Sequence, residues 1–189
     1  NGPDLATSSP MSFFIASEKG SANLGGLAGA DARCDRLAKA AGVTGKKWAA
    51  YLSAYADNGA AAVNAKDRIG KGPWFNAKGE KVASSVQELH SAINNLGKMT
   101  SLDEKGTVIP GRGDLVNEHD ILTGSNADGT VNSRSTCANW TSEMDGVAGV
   151  NAAVGHHDRQ GGGADPMSWN SAHTTPGCSA NSLKSVGGA

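Results

Sequence analysis

The chain has 189 residues, a formal net charge of −1, an aromatic content of only 5% and 26 glycines. That length suits a single domain burying about 70% of the surface its unfolded chain exposes, and the near-neutral balance excludes a general electrostatic pull toward nucleic acid or anionic membranes. No apolar run approaches the roughly 20 residues a bilayer span needs, and the glycines imply much loop and turn.

A start at Asn1-Gly2-Pro3 without Met fits a processed secreted protein or an expressed piece equally, and no signal-peptide pattern is visible. Residues 11–17 read as a short buried first strand ended by Glu18-Lys19-Gly20. Glycines at 20, 25, 26 and 29 make a loop. Ala30, Cys34, Leu37, Ala38 and Ala41 then recur at helical spacing, with Asp31 in the first turn and Gly42 as the stop, so Cys34 faces the core. Residues 47–53 read as a second strand with Trp48 and Leu52 on one face, and Asn58 as the cap of a short helix through 60–63. Residues 74–82 form a hairpin around Lys78-Gly79. Ser85 with Glu88 makes a capping box for a helix carrying Val86, Leu89, Ile93 and Leu96 on one stripe, stopped at Gly97. Residues 98–118 dissolve into loop. Residues 121–124 and 136–141 look like strands flanking a turn at Asp128-Gly129. Residues 143–176 are irregular and long for a compact domain, which is the pattern of functional or mobile loops. There is no internal repeat and no domain linker, so residues 1–189 read as one domain.

Three cysteines, Cys34, Cys137 and Cys178, are an odd number for a secreted protein. One reading is three reduced thiols buried as small hydrophobes in a reducing compartment. Against it, Cys137 and Cys178 stand in polar, Gly/Ser/Thr-rich surroundings. A bridge between them would close a loop of roughly 40 residues, a constraint of the order of 3–4 kcal/mol. No Cys or His pair lies beside them at metal-ligand spacing.

The segment Asn23 to Cys34 with its Gly-Gly-x-x-Gly-Ala-Asp-x-x-Cys block, Trp48 to Ser53, the Thr123 to Gly129 turn and Cys137-Ala138-Asn139-Trp140 together resemble the endostatin-like family, including its bacterial, leptospiral surface members. The likeness runs from about residue 11 to 189. It implies an α+β, C-type-lectin-like fold: a distorted antiparallel sheet, flanking helices and long loops. It also implies nested disulfides, Cys137 with Cys178 and Cys34 with a cysteine on a closing strand that would lie beyond residue 189. The chain departs from that family in this closing strand and in residues 84–117, which read as an inserted helix and loop. The family's zinc ligands are histidines at its extreme N-terminus, and residues 1–10 contain none.

Five groups of residues could carry chemistry. Arg112-Gly113-Asp114, after Pro110-Gly111, presents opposite charges on an extended loop and could bridge an integrin-type metal and acidic pocket; ordinary turn chemistry is the plainer account. Asp128-Gly129 within Ser125 to Thr130 could offer oxygens to Ca²⁺, but no Glu stands at the twelfth position and a hairpin turn explains it as well. The sugar-binding triplets of calcium-dependent lectins do not occur. Asn139-Trp140-Thr141 is formally a glycosylation sequon, expected to go unused, with Trp140 packed on a disulfide. His156, His157 and His173 offer nitrogens for a transition metal, although adjacent His156 and His157 point to opposite sides of an extended chain. Trp169, Asn170 and His173, before Cys178, are expected as an exposed ligand surface able to stack on a sugar or anchor a partner.

No nucleophile elbow, His-Glu-x-x-His or phosphate loop is present, and Asp103 and Glu104 alternate in direction, so catalytic chemistry and a resident organic cofactor are not expected. The chain therefore reads as a secreted, periplasmic or cell-surface binding module for an extracellular matrix glycoprotein, a glycan or another surface macromolecule. A metal- or small-ligand-binding protein and a structural, homo-oligomeric envelope piece are the other readings.

Overall fold

A computed structural model describes residues 9–163 and 165–188. The chain is α+β, with short helices and two small antiparallel sheets set among long loops. Among the described residues no helix is long and apolar enough to cross a membrane.

The longest element is α1 (Gly26–Ala40), whose Ala30, Leu37 and Ala38 are buried at helical spacing; Ala41 caps it and Gly42 follows. It begins earlier than the sequence suggests, so Asp31 lies in its second turn. There the carboxylate accepts the Ala50 N–H at 2.7 Å and pairs with Arg68 at 2.8 Å, fastening α1 to α2 (Ala65–Arg68). The Arg68 guanidinium also donates to the Ala50 carbonyl at 2.6 Å. These bonds explain why 47–53 is not the expected strand: its backbone partners around Ala50 are side chains, and Ser53 N–H goes to the Thr123 carbonyl. Trp48 and Leu52 also belong to different apolar clusters. Residues 60–63 are extended rather than helical, with Val63 bridging Ala54. The first strand expected over 11–17 reduces to one bridge, Ile15 with Asp103, while Ser12 and Phe13 N–H groups share the Phe75 carbonyl.

β1 (Trp74–Phe75) and β2 (Lys81–Ala83) form the expected hairpin. Ser85 caps α3 (Val86–Leu89), its hydroxyl accepting from Glu88 N–H at 3.2 Å. This helix stops after one turn: Ser91 and Asn94 side chains take the carbonyls of Glu88, Leu89 and Ser91, and Ile93 is thrown outward, 77% exposed.

The second sheet has the order β3-β4-β5, with β3 (Asp120–Leu122), β4 (Ala153–His156) and β5 (His173–Thr174). Asp120 pairs with His156, Leu122 with Val154, and Val154 with His173. The stretch 143–176, expected to be irregular throughout, thus supplies two of the three strands.

Where 136–141 reads as a strand, α4 (Cys137–Trp140) is a single left-handed turn, with φ of 48, 53, 54 and 68° at four successive non-glycine residues. Such a turn costs about 1–2 kcal/mol per residue, so neighbouring bonds must hold it. The Asn139 amide exchanges two hydrogen bonds with the Tyr55 backbone (2.9 and 3.1 Å), Trp140 Nε1 donates to the Ser53 carbonyl at 2.8 Å, and Cys137 is bridged to Cys178 across 5.8 Å between Cα atoms. Trp140 is fully buried beside this bridge in the main cluster, with Ala22, Leu52, Ala152 and Leu183 from α5 (Ala180–Ser185) around it. Both ends of the Asn139 amide being engaged, the sequon is structurally occupied. Cys34 is a half-buried free thiol against this same cluster.

Candidate metal centre

The central sheet brings together four polar side chains from three places in the chain. Asp120 and His156 are cross-strand partners, His173 enters from β5, and His119 immediately precedes β3. His119 Nε2 lies 3.2 Å and His156 Nε2 3.3 Å from Asp120 Oδ1, and His173 Nε2 lies 3.4 Å from Asp120 Oδ2. The side chains of Asp120 and His156 are essentially sealed from solvent; that of His173 is 21% exposed and forms the outer wall.

Their spacing and their bonding point the same way. Ligands about 2.0–2.1 Å from a tetrahedral ion stand about 3.3 Å from one another, and the contacts here are of that length. Yet Asp120 Oδ1 and Oδ2 and His156 Nε2 find no hydrogen-bond partner among the described residues, because the contacts lack hydrogen-bond alignment. Buried polar groups are otherwise almost always bonded. One potential ligand atom each from His119, Asp120 and His156 falls within 4.8 Å of the other two.

The nitrogens away from this point are held by the surrounding chain. His156 Nδ1 lies 3.1 Å from the Pro166 carbonyl, which leaves Nε2 as the free lone pair if Nδ1 carries the proton. His119 Nδ1 faces Asp158 Oδ1 at 3.3 Å, and Asp158 in turn accepts from the Arg112 and Gln160 N–H groups at 2.8 and 3.1 Å. A carboxylate behind a ligating imidazole is the arrangement that orients metal-bound histidines. The His119 and His156 rings stack 4.1 Å apart at 11°.

The backbone roofs these rings. A Cβ on Gly161, at φ +123°, would lie 2.6 Å from His119 Cε1 and 3.1 Å from His156 Cε1; one on Gly163 would lie 2.9 Å from His173 Cδ2. A loop this close to three imidazoles admits no side chain there.

Burial pushes the His119 and His157 imidazoles below the ordinary histidine value. Burial acts the same way on His156, but the Asp120 carboxylate, the Pro166 carbonyl and Asp158 outweigh it and raise the ring. For Asp158, burial favours the neutral acid, yet the Arg112 and Gln160 N–H groups and the flanking histidines hold it below the usual carboxylate range.

Of the residues expected to form sites, His156 and His173 do converge, around an Asp120 and a His119 the sequence reading missed. His157 is fully buried and turned away, its Nε2 at 3.2 Å from the Pro110 carbonyl. Trp169 and Asn170 are corrected: they are 4% and 2% exposed and cannot offer a surface. Trp169 packs on Tyr51 and Phe13 and donates from Nε1 to the Leu89 carbonyl at 2.8 Å; Asn170 is spent on Tyr51 Oη and the Asn126 and Ala127 carbonyls. Arg112 and Asp114 are exposed, but the Asp114 carboxylate is engaged by Lys98 and the Gly111 N–H. At the turn considered for Ca²⁺, Asp128 binds the Thr130 hydroxyl and N–H at 2.6 and 3.0 Å.

No protein-family model matches this chain, and no curated protein matches its sequence.

Proposed function

We propose that this protein binds one divalent transition-metal ion through His119 Nε2, Asp120 Oδ1 and His156 Nε2, with His173 at the solvent side as a further donor. The observation that carries the reading is the approach of three buried potential ligand atoms within 4.8 Å of one another, with Asp120 Oδ1 and Oδ2 and His156 Nε2 free of hydrogen bonds among the described residues. Imidazole donors favour Zn²⁺, Cu²⁺, Ni²⁺ or Fe²⁺ over Ca²⁺ and Mg²⁺, which seek oxygen cages. Zn²⁺ suits a His/His/carboxylate set best, because tetrahedral N/O ligation needs no redox partner.

The bridged Cys137 and Cys178 support a working place in an oxidising compartment, as a secreted, periplasmic or surface module in a C-type-lectin-like frame. Binding of an extracellular macromolecule is the second reading. It is favoured by the loop after Gly111, where Arg112, Leu115 and Val116 stand exposed.

Equilibrium dialysis of chelator-stripped protein against Zn²⁺ tests the proposal. One ion per chain is expected, with binding weakened at least about a hundredfold in His156→Ala; uptake by His156→Ala equal to wild type refutes the site.

A further inference from the structure

The loop from Gly111 to Asn117 begins and ends on the metal centre. At its start, the Arg112 N–H donates to Asp158 Oδ2 at 2.8 Å, and the Gly111 backbone passes so close to that carboxylate that a Cβ would collide with it. At its end the chain runs through Glu118, paired with Lys19, directly into His119 and Asp120. His119 Nδ1 and Asp158 Oδ1, 3.3 Å apart, close the base of the loop into a ring, but their contact lacks hydrogen-bond alignment. Between these anchors stand exposed Arg112, Asp114 and Val116, and Leu115, the most exposed large apolar side chain among the described residues.

We infer that metal loading at this centre locks the Gly111–Asn117 loop through Asp158, so that the ion controls how the loop is presented at the surface. The inference rests on the metal-binding reading above. An ion on Nε2 of His119 obliges the ring proton to sit on Nδ1, where it can be donated only toward Asp158. That bond fixes the carboxylate that holds the Arg112 N–H. The coupling is reciprocal: whatever factor the ion contributes to closing the loop, a closed loop contributes to holding the ion.

Tryptic cleavage after Arg112 reads the loop, and cleavage after exposed Lys71, on a separate segment, reports any general stabilisation. The full chain is digested with saturating Zn²⁺ or with chelator, and bound zinc is measured in parallel. Zinc is expected to slow cleavage at Arg112 about tenfold or more while leaving Lys71 unchanged. In Asp158→Ala, at zinc concentrations that restore occupancy, cleavage at Arg112 is expected to be fast and insensitive to zinc. Exchange of the Arg112 amide hydrogen, measured on wild type alone, gives the same reading if that variant does not fold. If no zinc binds, the functional reading and this inference fall together. If zinc binds and cleavage at Arg112 is unchanged, or slows equally at Lys71, the coupling alone is overturned; equal zinc protection in Asp158→Ala overturns the route through Asp158.

Discussion

Gly161 occupies a place where a hydrogen atom is the largest substituent the His119 and His156 rings tolerate, and its φ of +123° disfavours any other residue. Gly161→Ala therefore should displace the rings without touching a ligand atom. Zinc affinity is expected to drop about tenfold or more by dialysis, with unchanged far-ultraviolet circular dichroism; unaltered affinity would mean the roof plays no part. Cys34 makes a second residue-level case. Burial, reinforced by Asp31, pushes its thiol up to about 11, so almost none is thiolate at neutral pH. One thiol per chain should react with a disulfide reagent rapidly in denaturant and slowly in the native protein, and fast native labelling would contradict the packing of Cys34 against the main cluster.

Elements differ in what the same substitution does to them. In α1 the exposed Ala32 has ordinary helical geometry, and Ala32→Gly is expected to cost about 1 kcal/mol. In α4, Ala138 sits at φ 53°, so Ala138→Gly removes a left-handed penalty of about 1–2 kcal/mol against a chain-entropy loss of about 0.5–1 kcal/mol. Urea midpoints should therefore move in opposite directions, or at least not fall for Ala138→Gly. The short α3 carries a pH signature. Burial holds His90 below the ordinary histidine value, with Nδ1 2.7 Å from the Val86 carbonyl and Nε2 2.6 Å from Tyr51 Oη. Below about pH 6.5 the unfolded chain takes up a proton at His90 that the folded chain resists, so its contribution is complete above that pH and shrinks as pH falls. The stability gap between wild type and His90→Gln should narrow from pH 7.5 to 5.5.

These elements also show what local sequence can reveal. The cap at Ser85, the hairpin at 74–82 and the stripe of α1 depend on neighbours a few residues away, and the sequence reading finds them. The apolar runs at 11–17 and 47–53 look like strands, but their backbones are taken by Phe75, Asp31, Arg68 and Thr123, none of which is near them in sequence. The left-handed α4 is set by Tyr55, Ser53 and a disulfide, equally remote.

At the scale of the whole molecule, the Cys137–Cys178 bridge encloses the segment that carries β4 and β5, hence His156 and His173, while His119 and Asp120 lie outside it. The joint variant Cys137→Ala/Cys178→Ala should lose about 3–4 kcal/mol of stability and bind zinc more weakly as well. The cysteine pair is legible from the polar sequence neighbours of both residues. The candidate metal centre is only half legible: His156 and His173 stand out as histidines, but the Asp120–His156 pairing spans 36 positions and depends on strand register, which no local pattern encodes. Trp169 illustrates the converse, since a tryptophan among polar residues in an apparent loop turned out to be a core residue. If the protein takes up zinc, saturation at about 100 times the dissociation constant adds about 2.7 kcal/mol.

The most direct test is anomalous X-ray scattering at the zinc absorption edge from crystals of the full chain grown with Zn²⁺. A single peak bounded by His119 Nε2, Asp120 Oδ1 and His156 Nε2 is the predicted result; a map in which zinc appears only elsewhere, with Asp120 still flanked by three unligated imidazoles, would contradict the account.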